Sequence, residues 1–215
     1  MKTSIKTLFA AALSLVVLSS SAFASTGVKE NNNVTVLNQV KNISKIEVKG
    51  NVEVILVQAP TESVKVYDSY YAKNALVQQQ EGVLRISSFQ KETLTVAVYV
   101  RNLAAIEASD NAVVRTYGKV NFLNLNIDLK GAAKADINAS TINLYTSVKD
   151  SANLKLSGST TEHYAVLGSK AKMSMDQFVA DSTSVNTVAP LIAKVAPVSQ
   201  TLESIILAED AKLAK

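Results

Sequence analysis

The strongest constraint in this sequence is a short pattern that recurs four times between residues 103 and 175. Each copy has small or polar turn residues, then an alanine, then alternating apolar residues. The alanines are 21, 19 and 19 residues apart, at Ala112, Ala133, Ala152 and Ala171. A fixed period near twenty residues is typical of folds in which each copy is one supersecondary unit that buries its apolar face against the next copy. The pattern therefore predicts an architecture more strongly than an activity.

Aligning the copies sorts the residues into columns. The apolar columns lie four before, two after and four after the alanine: Ala108, Leu129, Val148, Leu167; Val114, Ala135, Leu154, Met173; Thr116, Ile137, Leu156, Met175. The column three after the alanine is polar: Arg115, Asp136, Lys155, Ser174. Alternation with period two is the signature of a β-strand, and the Asp, Asn, Ser and Gly residues between these segments favour turns. We expect one rung per repeat, stacked at about 4.8 Å.

The predicted fold is all-β: a single-stranded, β-helix-like solenoid of short stacked strands over residues 40–180. A β-sandwich with evenly spaced strands is the alternative, although a sandwich does not require the same residue types to recur in columns. In the first half, alternation predicts strands at 46–56 (around a Gly50-Asn51 turn), 63–67, 82–87 and 94–100, and residues 70–76 are interpreted as a loop.

The two ends of the chain differ from this pattern. Residues 1–24 have an early positive charge, an apolar run and the small-residue end Ala22-Phe23-Ala24, which together predict a secretory signal peptide. Residues 25–39 are interpreted as a flexible lead-in. Residues 181–215 form a tail whose segment 199–215 is either a helix that caps the open end of the solenoid or a frayed terminus.

Composition excludes several kinds of chemistry. The sequence has no cysteine, which excludes disulfides, thiol catalysis, cysteine zinc sites and a lipid anchor on an N-terminal cysteine. Without the two lysines of the predicted leader, 22 − 2 = 20 basic residues face 18 acidic ones, a net charge of +2. Since no basic patch is interleaved with aromatic residues, the sequence does not indicate nucleic-acid binding.

Three stretches resemble the head GIN domain family, which comprises secreted proteins common in Bacteroidetes that are described as auto-transporter adhesins. These stretches are residues 44–54, 82–86 and 98–106, and the resemblance covers roughly residues 40–180. It implies a β-helix-type fold at the cell envelope, with no assigned biochemical role and no catalytic residues to carry over. The chain departs from the family after Ile106, where residues 108–111 replace a glycine-rich turn.

His163 is the only histidine. In the aligned copies it falls in the column of Leu125 and Leu144, which is predicted to point inward. It could act as a general base or metal ligand, but the sequence supplies no second histidine and no cysteine as partners. We interpret it as a histidine at a strand end, bonded to backbone or water.

Asp110 and Asp150 share one column, two rungs apart, which corresponds to roughly 9.6 Å between backbones. Two carboxylates at such a separation would suit inverting glycoside hydrolysis. The simpler interpretation is that aspartate is a favoured turn residue, because Gly131 and Ser169 share the column without an acid group.

The sequence therefore predicts no catalytic residue, no cofactor site and no metal site. The favoured function is a non-catalytic protein, secreted or in the cell envelope, that binds or adheres through a repetitive β surface. Its partner is unknown, with an envelope glycan or protein as candidates, no nucleic acid, and no transmembrane span after signal cleavage. The alternatives are a carbohydrate-active enzyme on a β-helix and a purely structural envelope protein.

Overall fold

The computed structural model describes residues 34–67 and 75–188, and every regular element in these ranges is a β-strand. The strands of the first half are β1 (Val34–Leu37), β2 (Lys45–Gly50), β3 (Val52–Gln58), β4 (Ser63–Tyr67), β5 (Ala75–Gln80), β6 (Val83–Ser88) and β7 (Leu94–Val100). Those of the second half are β8 (Ala105–Ser109), β9 (Val113–Thr116), β10 (Val120–Asn121), β11 (Asn124–Leu129), β12 (Lys134–Val148), β13 (Asn153–Gly168) and β14 (Lys172–Val188). The all-β prediction is confirmed for this part of the chain.

In the second half, successive strands lie side by side and parallel. β8 pairs with β11, β11 with the last part of β12, β12 with β13, and β13 with β14. Lys134 is paired with both Val113 and Asn153, and Asn153 is paired with Lys172. Each of these residues directly follows one of the four alanines, so the predicted alignment of the alanines is confirmed.

The long strands β12 and β13 each bend once, where two successive residues are exposed. In β12 the alternation of buried and exposed residues breaks at Ile142 and Asn143, which are both exposed. Residues before the bend pair with β9 and β10, whereas those after it pair with β11. The sheet therefore has two parts. The β3 face consists of β7, β3, β9 and the first parts of β12 to β14. The β2 face consists of β6, β2, β8, β11 and the last parts of β12 to β14.

Short turns lead from the β2 face to the β3 face, and we call their stack the turn edge: residues 50–51, 110–112, 130–133, 149–152 and 169–171. Neighbouring turns are joined by backbone hydrogen bonds. The Ala132 amide donates to the Asp110 carbonyl at 2.8 Å, and the Ser151 amide donates to the Gly131 carbonyl at 2.9 Å. Stacking of the repeats thus extends through the turns as well as the strands.

The first alanine spacing exceeds the others by two residues, and the structure shows where these residues go. Arg115 pairs with Asp136, whereas Val120 pairs with Ala139. Between these two pairs, the chain advances by five residues from Arg115 to Val120 but by only three residues from Asp136 to Ala139. The extra residues form a surface loop around Gly118, which has a φ of 77°.

Strand order in the first half differs from chain order. β2 and β3 lie directly beside β8 and β9, and β6 and β7 lie on the far side of β2 and β3 although they come later in the chain. β4 and β5 are antiparallel to β7 and β6, the last strands of the parallel part, and β1 is antiparallel to β4. The prediction of a single-stranded, β-helix-like solenoid over residues 40–180 is therefore not confirmed for this half, because alternation specifies a strand but not its neighbour.

One apolar core lies between the two faces. Buried side chains of the β2 face, such as Ile46, Ile106 and Ile127, belong to the same cluster as Val54 and Val114 of the β3 face. Most residues of the predicted apolar columns belong to this core, and Leu167, Met173 and Met175 are partly buried against it. Thr116 is half-buried and lies outside the core cluster. The predicted polar column is exposed at Arg115, Asp136 and Lys155.

Some segments differ from their predictions. Val34–Leu37, part of the predicted flexible lead-in, forms strand β1 against β4, and Ala75 and Leu76, assigned to a loop, begin strand β5. β14 continues to Val188, so residues 181–188, which were assigned to the tail, belong to a strand. The signal peptide, the rest of the loop and the C-terminal helix fall at residues 1–24, 70–74 and 199–215, outside the described residues.

Candidate functional site

A groove of about 490 Å³ lies where the β2 face meets the turn edge. Its walls come from β5, β6, β2 and β8 and from three successive turns: Glu47, Val48, Lys49, Leu76, Arg85, Ile86, Ser87, Glu107, Ala108, Ser109, Asp110, Lys130, Gly131 and Asp150. The groove gathers acidic and basic side chains from segments that are far apart in the sequence. We take it as the candidate functional site of the described residues.

Four charged side chains form a network beside the groove. Glu47 and Glu107 occupy paired positions on β2 and β8, where two like charges repel each other. The Lys45 ammonium bridges them, at 2.9 Å from Glu47 Oε1 and 2.7 Å from Glu107 Oε1. Arg85 on β6 adds a second cation, with its Nε 3.0 Å from Glu47 Oε2. The two cations therefore offset the repulsion between the two glutamates, and the four side chains together carry no net charge.

The network shifts the protonation equilibria of two of its members. Hydrogen bonding to Glu107, and then to Glu47, raises the pKa of Lys45 above its ordinary value. Hydrogen bonding to Lys45 lowers the pKa of Glu47. Glu47 therefore stays ionised at neutral pH, which suits a charged binding surface and does not suit a general acid, whose pKa must be raised.

Asp110 and Asp150 both line the groove, at the turn positions predicted for them. Both adopt a left-handed backbone, with φ values of 62° and 55°, and Gly131 between them has a φ of 70°. The Asp150 carboxylate also accepts a hydrogen bond from the Gly131 amide at 2.8 Å. Aspartate tolerates this conformation better than most residues, so both residues have a role in forming the turns.

His163 lies in the core, as its column predicted. It is paired with Leu144, is 3 % exposed, and packs edge-on against Phe178. Its Nε2 is 3.0 Å from Thr146 Oγ1, and burial lowers the pKa of the imidazole below its ordinary value. The partner of the ring is thus a threonine hydroxyl, where the sequence predicted backbone or water.

The groove network was missed in the sequence, although its members can be found there. Glu47 and Glu107 each follow an isoleucine, in Ile46-Glu47 and Ile106-Glu107. The same two-residue pattern therefore marks the same column of the β2 face. What the sequence did not show is that the strands carrying them are adjacent.

An exposed tyrosine pair on the β2 face was missed as well. Tyr145 on β12 and Tyr164 on β13 are paired in register and 19 residues apart, the spacing of the alanines. Their rings stack with centroids 5.4 Å apart and planes inclined by 11°. The alignment of copies contained this signal, since the two residues fall in one column.

In the described residues, no helix is long and apolar enough to cross a membrane.

Several solved structures have a similar fold. A putative adhesin from Bacteroides fragilis matches with a TM-score of 0.64 at 17 % identity, over 75 % of this chain and 79 % of that one. A putative adhesin from Parabacteroides distasonis matches at 0.56 and 16 %, over 73 % and 79 %. A protein of that organism described as a putative lipid binding protein matches at 0.56 and 11 %, over 74 % and 79 %. At these identities the likeness shows a shared fold.

No curated protein matches the sequence. A family model described as "putative auto-transporter adhesin, head GIN domain" matches residues 42–206. The matched segment exceeds half of the chain and contains all strands from β2 to β14. The chain therefore belongs to the head GIN domain family.

Proposed function

We propose that this protein is an exported, non-catalytic adhesin that binds its partner through the outer side chains of the β2 face. The family description and the similar structures described as adhesins support a role in adhesion. The predicted signal peptide and the Bacteroidetes relatives support an extracellular or envelope location. The partner is a surface component of another cell or of the envelope.

The observation that carries the proposal is the in-register β2 face. Outward side chains of neighbouring strands form columns, for example Arg85, Glu47 and Glu107 across β6, β2 and β8. Because the strands are fixed by a continuous backbone ladder and a buried core, these side chains are presented at regular intervals on a rigid support. Rigid presentation lowers the entropic cost of binding, since little has to be ordered when the partner arrives.

We take β8 to β14 as a two-faced solenoid in which each repeat adds one strand to each face. In this view β2, β3, β6 and β7 provide two further rungs, added out of chain order. Such an arrangement can be lengthened without changing the core, which suits a surface protein whose binding area scales with its number of rungs.

The test of adhesion uses residues 25–215, fluorescently labelled, on intact bacterial and epithelial cells and on immobilised envelope fractions. We expect saturable binding to at least one of these surfaces. Fractionation of cells that express the full chain should recover it outside the cytoplasm. Cytoplasmic retention, or no saturable binding on any surface, would contradict the proposal.

The second candidate is a carbohydrate-active enzyme, and one observation favours it. The groove unites Asp110 and Asp150 with the basic residues Lys49 and Arg85, which is the combination of acids and a basic subsite that such an enzyme requires. Against it, the Asp150 carboxylate is hydrogen-bonded within the turn edge.

Asparagine substitutions separate the two candidates, because asparagine tolerates the left-handed backbone but cannot transfer a proton. A glycan-degrading activity of the wild-type protein that is lost in both Asp110→Asn and Asp150→Asn would replace the adhesin proposal with the enzyme. An adhesin predicts no turnover in any of the three proteins, and unchanged cell binding in at least the Asp150→Asn variant.

A further inference from the structure

The tyrosine pair stands out from the β2 face. Tyr145 and Tyr164 are 40 % and 42 % exposed, although stacking against each other covers one face of each ring. Two coplanar rings side by side would clash at a centroid separation of 5.4 Å. The rings therefore stand upright and stack along the direction in which the strands are stacked, so that each turns its other face toward the next strand.

The neighbours in this column are shorter. Asn126 on β11 precedes Tyr145, and Ser184 on β14 follows Tyr164. Ala105 on β8 comes before Asn126. The outer faces of the ring pair thus lie beside shorter side chains. On the Tyr164 side, the tyrosine hydroxyl also accepts a hydrogen bond from Asn186 Nδ2 at 2.6 Å, whereas no such bond is seen at the Tyr145 hydroxyl in the described residues.

A column of hydrogen-bonding side chains flanks the pair. The adjacent outward column consists of Asn124, Asn143, Glu162 and Ser182 on the same four strands. Asn143 Nδ2 donates to Asn124 Oδ1 at 2.7 Å, which fixes the orientation of both amides. The ring pair is thus bordered by fixed amides, and Glu162 is the one charged residue of this column.

We propose that this surface, the tyrosine ledge (Tyr145, Tyr164, Asn126, Asn143 and Ser184), binds a neutral glycan, with one pyranose ring packed against the free face of Tyr145. A pyranose has one face made mostly of C–H groups and an edge of hydroxyls. An exposed aromatic ring accepts the first, and oriented amides and hydroxyls pair with the second. Tyrosine suits this role because it offers a large, rigid contact at low conformational cost.

The charges argue against a phosphorylated ligand. Glu162 lies beside Tyr164 in the neighbouring column, and Asp128 lies on the Asn126 strand two residues further along. A nucleotide or lipid phosphate would meet these carboxylates, and the nearby Lys149 is directed at Asp128, with 4.0 Å between Nζ and Oδ1. A neutral hexose-based chain meets no such repulsion.

The inference rests on the proposed adhesion function and names its ligand class. The test is an array of neutral and anionic glycans probed with residues 25–215, followed by calorimetric titration of the best neutral oligosaccharide. We expect binding to neutral glycans that falls by about tenfold or more in Tyr145→Ala and further in the double variant Tyr145→Ala/Tyr164→Ala, as for the central aromatic residue of an interface.

Three variants separate stacking from other causes. Tyr145→Leu keeps apolar bulk without an aromatic face and should bind as poorly as Tyr145→Ala, whereas Tyr145→Phe should retain most of the affinity. Tyr117→Ala removes a tyrosine that is 76 % exposed on the loop near Gly118 and should leave binding unchanged. Circular dichroism and thermal unfolding identify any variant that does not fold, and the Leu and Phe variants keep the test decisive if an alanine variant fails.

Each outcome separates the glycan site from adhesion itself. Wild-type protein that binds no neutral glycan, or that binds equally in Tyr145→Leu, overturns the tyrosine ledge. Adhesion still stands if the same preparations bind cells. Loss of cell binding and glycan binding together in Tyr145→Leu supports both, and absence of all binding in the wild type contradicts both.

Discussion

The two halves of the molecule reach the same sheet in different ways. In the second half, each strand pairs with the next copy about 19 residues away, and side chains of one column repeat from strand to strand. In the first half, paired parallel strands are further apart in sequence, as with Glu47 and Arg85, and antiparallel strands cover the outer edge. The repeated half provides uniform columns, whereas the rearranged half brings together the mixed charges of the groove.

The difference shows how a repeat fold acquires a site. Stacking of similar copies produces similar neighbours, which favours ladders of alanine, asparagine or tyrosine. A strand that pairs out of chain order, such as β2 between β6 and β8, lies beside strands of different sequence. Its side chains can therefore contact residue types that a repeated copy does not contain. Lys45 can thereby contact both Glu47 on its own strand and Glu107 on β8, although these two paired glutamates are 107 − 47 = 60 residues apart in the sequence.

The largest effect in this comparison is expected at a glycine of the second half. Gly158 has a φ of 102°, and a Cβ added there would lie 2.1 Å from the backbone oxygen of Ala139 on the neighbouring strand. We expect Gly158→Ala to destabilise the protein by about 3 kcal/mol or more. The alanine would have to adopt a left-handed backbone conformation, and its Cβ would clash with the neighbouring strand. Urea unfolding measures this change.

Gly118 supplies the matched control, because its φ is 77° but nothing lies within 4 Å of the added Cβ. Gly118→Ala should cost only about 1 kcal/mol, the conformational part of the effect. Equal losses in the two variants would show that the close approach at Gly158 is unimportant.

The next effect tests whether the alanine column is packed equally along the stack. Ala152 is fully buried between neighbouring turns, whereas Ala171 in the last turn is partly exposed. Ala152→Leu should destabilise the protein by about 1–3 kcal/mol through overpacking. Ala171→Leu should destabilise it less, because a larger side chain at this partly exposed position can extend into solvent. Thermal unfolding of both variants ranks them, and the reverse order would contradict the alignment of the turns.

A smaller effect depends on pH and belongs to the second half alone. Because burial lowers the pKa of His163 in the folded state, the unfolded chain takes up a proton first as the pH falls. Stability should be complete above the ordinary value of 6.5 and should decline as the pH falls from there toward the lowered folded-state pKa.

His163→Leu matches the leucines of its column and should remove this decline. Denaturant unfolding at about pH 7.5 and about pH 5.5 compares the two proteins across the window in which the histidine titrates. A variant that loses as much stability between these values as the wild type would assign the acid sensitivity to other groups.

The smallest effect concerns the charged network. Lys45→Met should leave Glu47 and Glu107 unbridged and cost up to about 1 kcal/mol at low salt, less at high salt. Lys155→Met in the second half breaks one exposed pair, with Asp136 at 3.4 Å, and should cost less. Unfolding at two salt concentrations checks both, and an effect at Lys155 equal to that at Lys45 would show that the network adds nothing to single pairs.

The sequence predicted the second half closely and the first half only in part. Columns of four copies located the strands, the alanine alignment, the inward position of His163 and the turn positions of Asp110 and Asp150. Strands β2, β3, β4, β6 and β7 were also found, because alternation is a local signal. The edge strands β1 and β5 were missed because polar or mixed segments form strands when an existing edge supplies their hydrogen bonds.

The candidate site was harder to predict than the fold. Asp110 and Asp150 were singled out for their shared column, but the groove is also lined by Glu47, Arg85 and Glu107, which come together only through the order of strands in space. The tyrosine ledge was within reach of the sequence, since Tyr145 and Tyr164 repeat at 19 residues. Their stacking required knowing that both rings point outward on adjacent strands.

The sequence by itself determined the period, the side of the sheet to which each residue of a copy points, and the turn positions, because these depend on alternation and on local backbone preferences. Only the tertiary structure decided that residues 83–100 lie beyond residues 45–58 and that the edges are covered by antiparallel strands. Every strand with an apolar inner face can satisfy its hydrogen bonds against several neighbours. The choice among them is made by the packing of the whole core, which no single segment encodes.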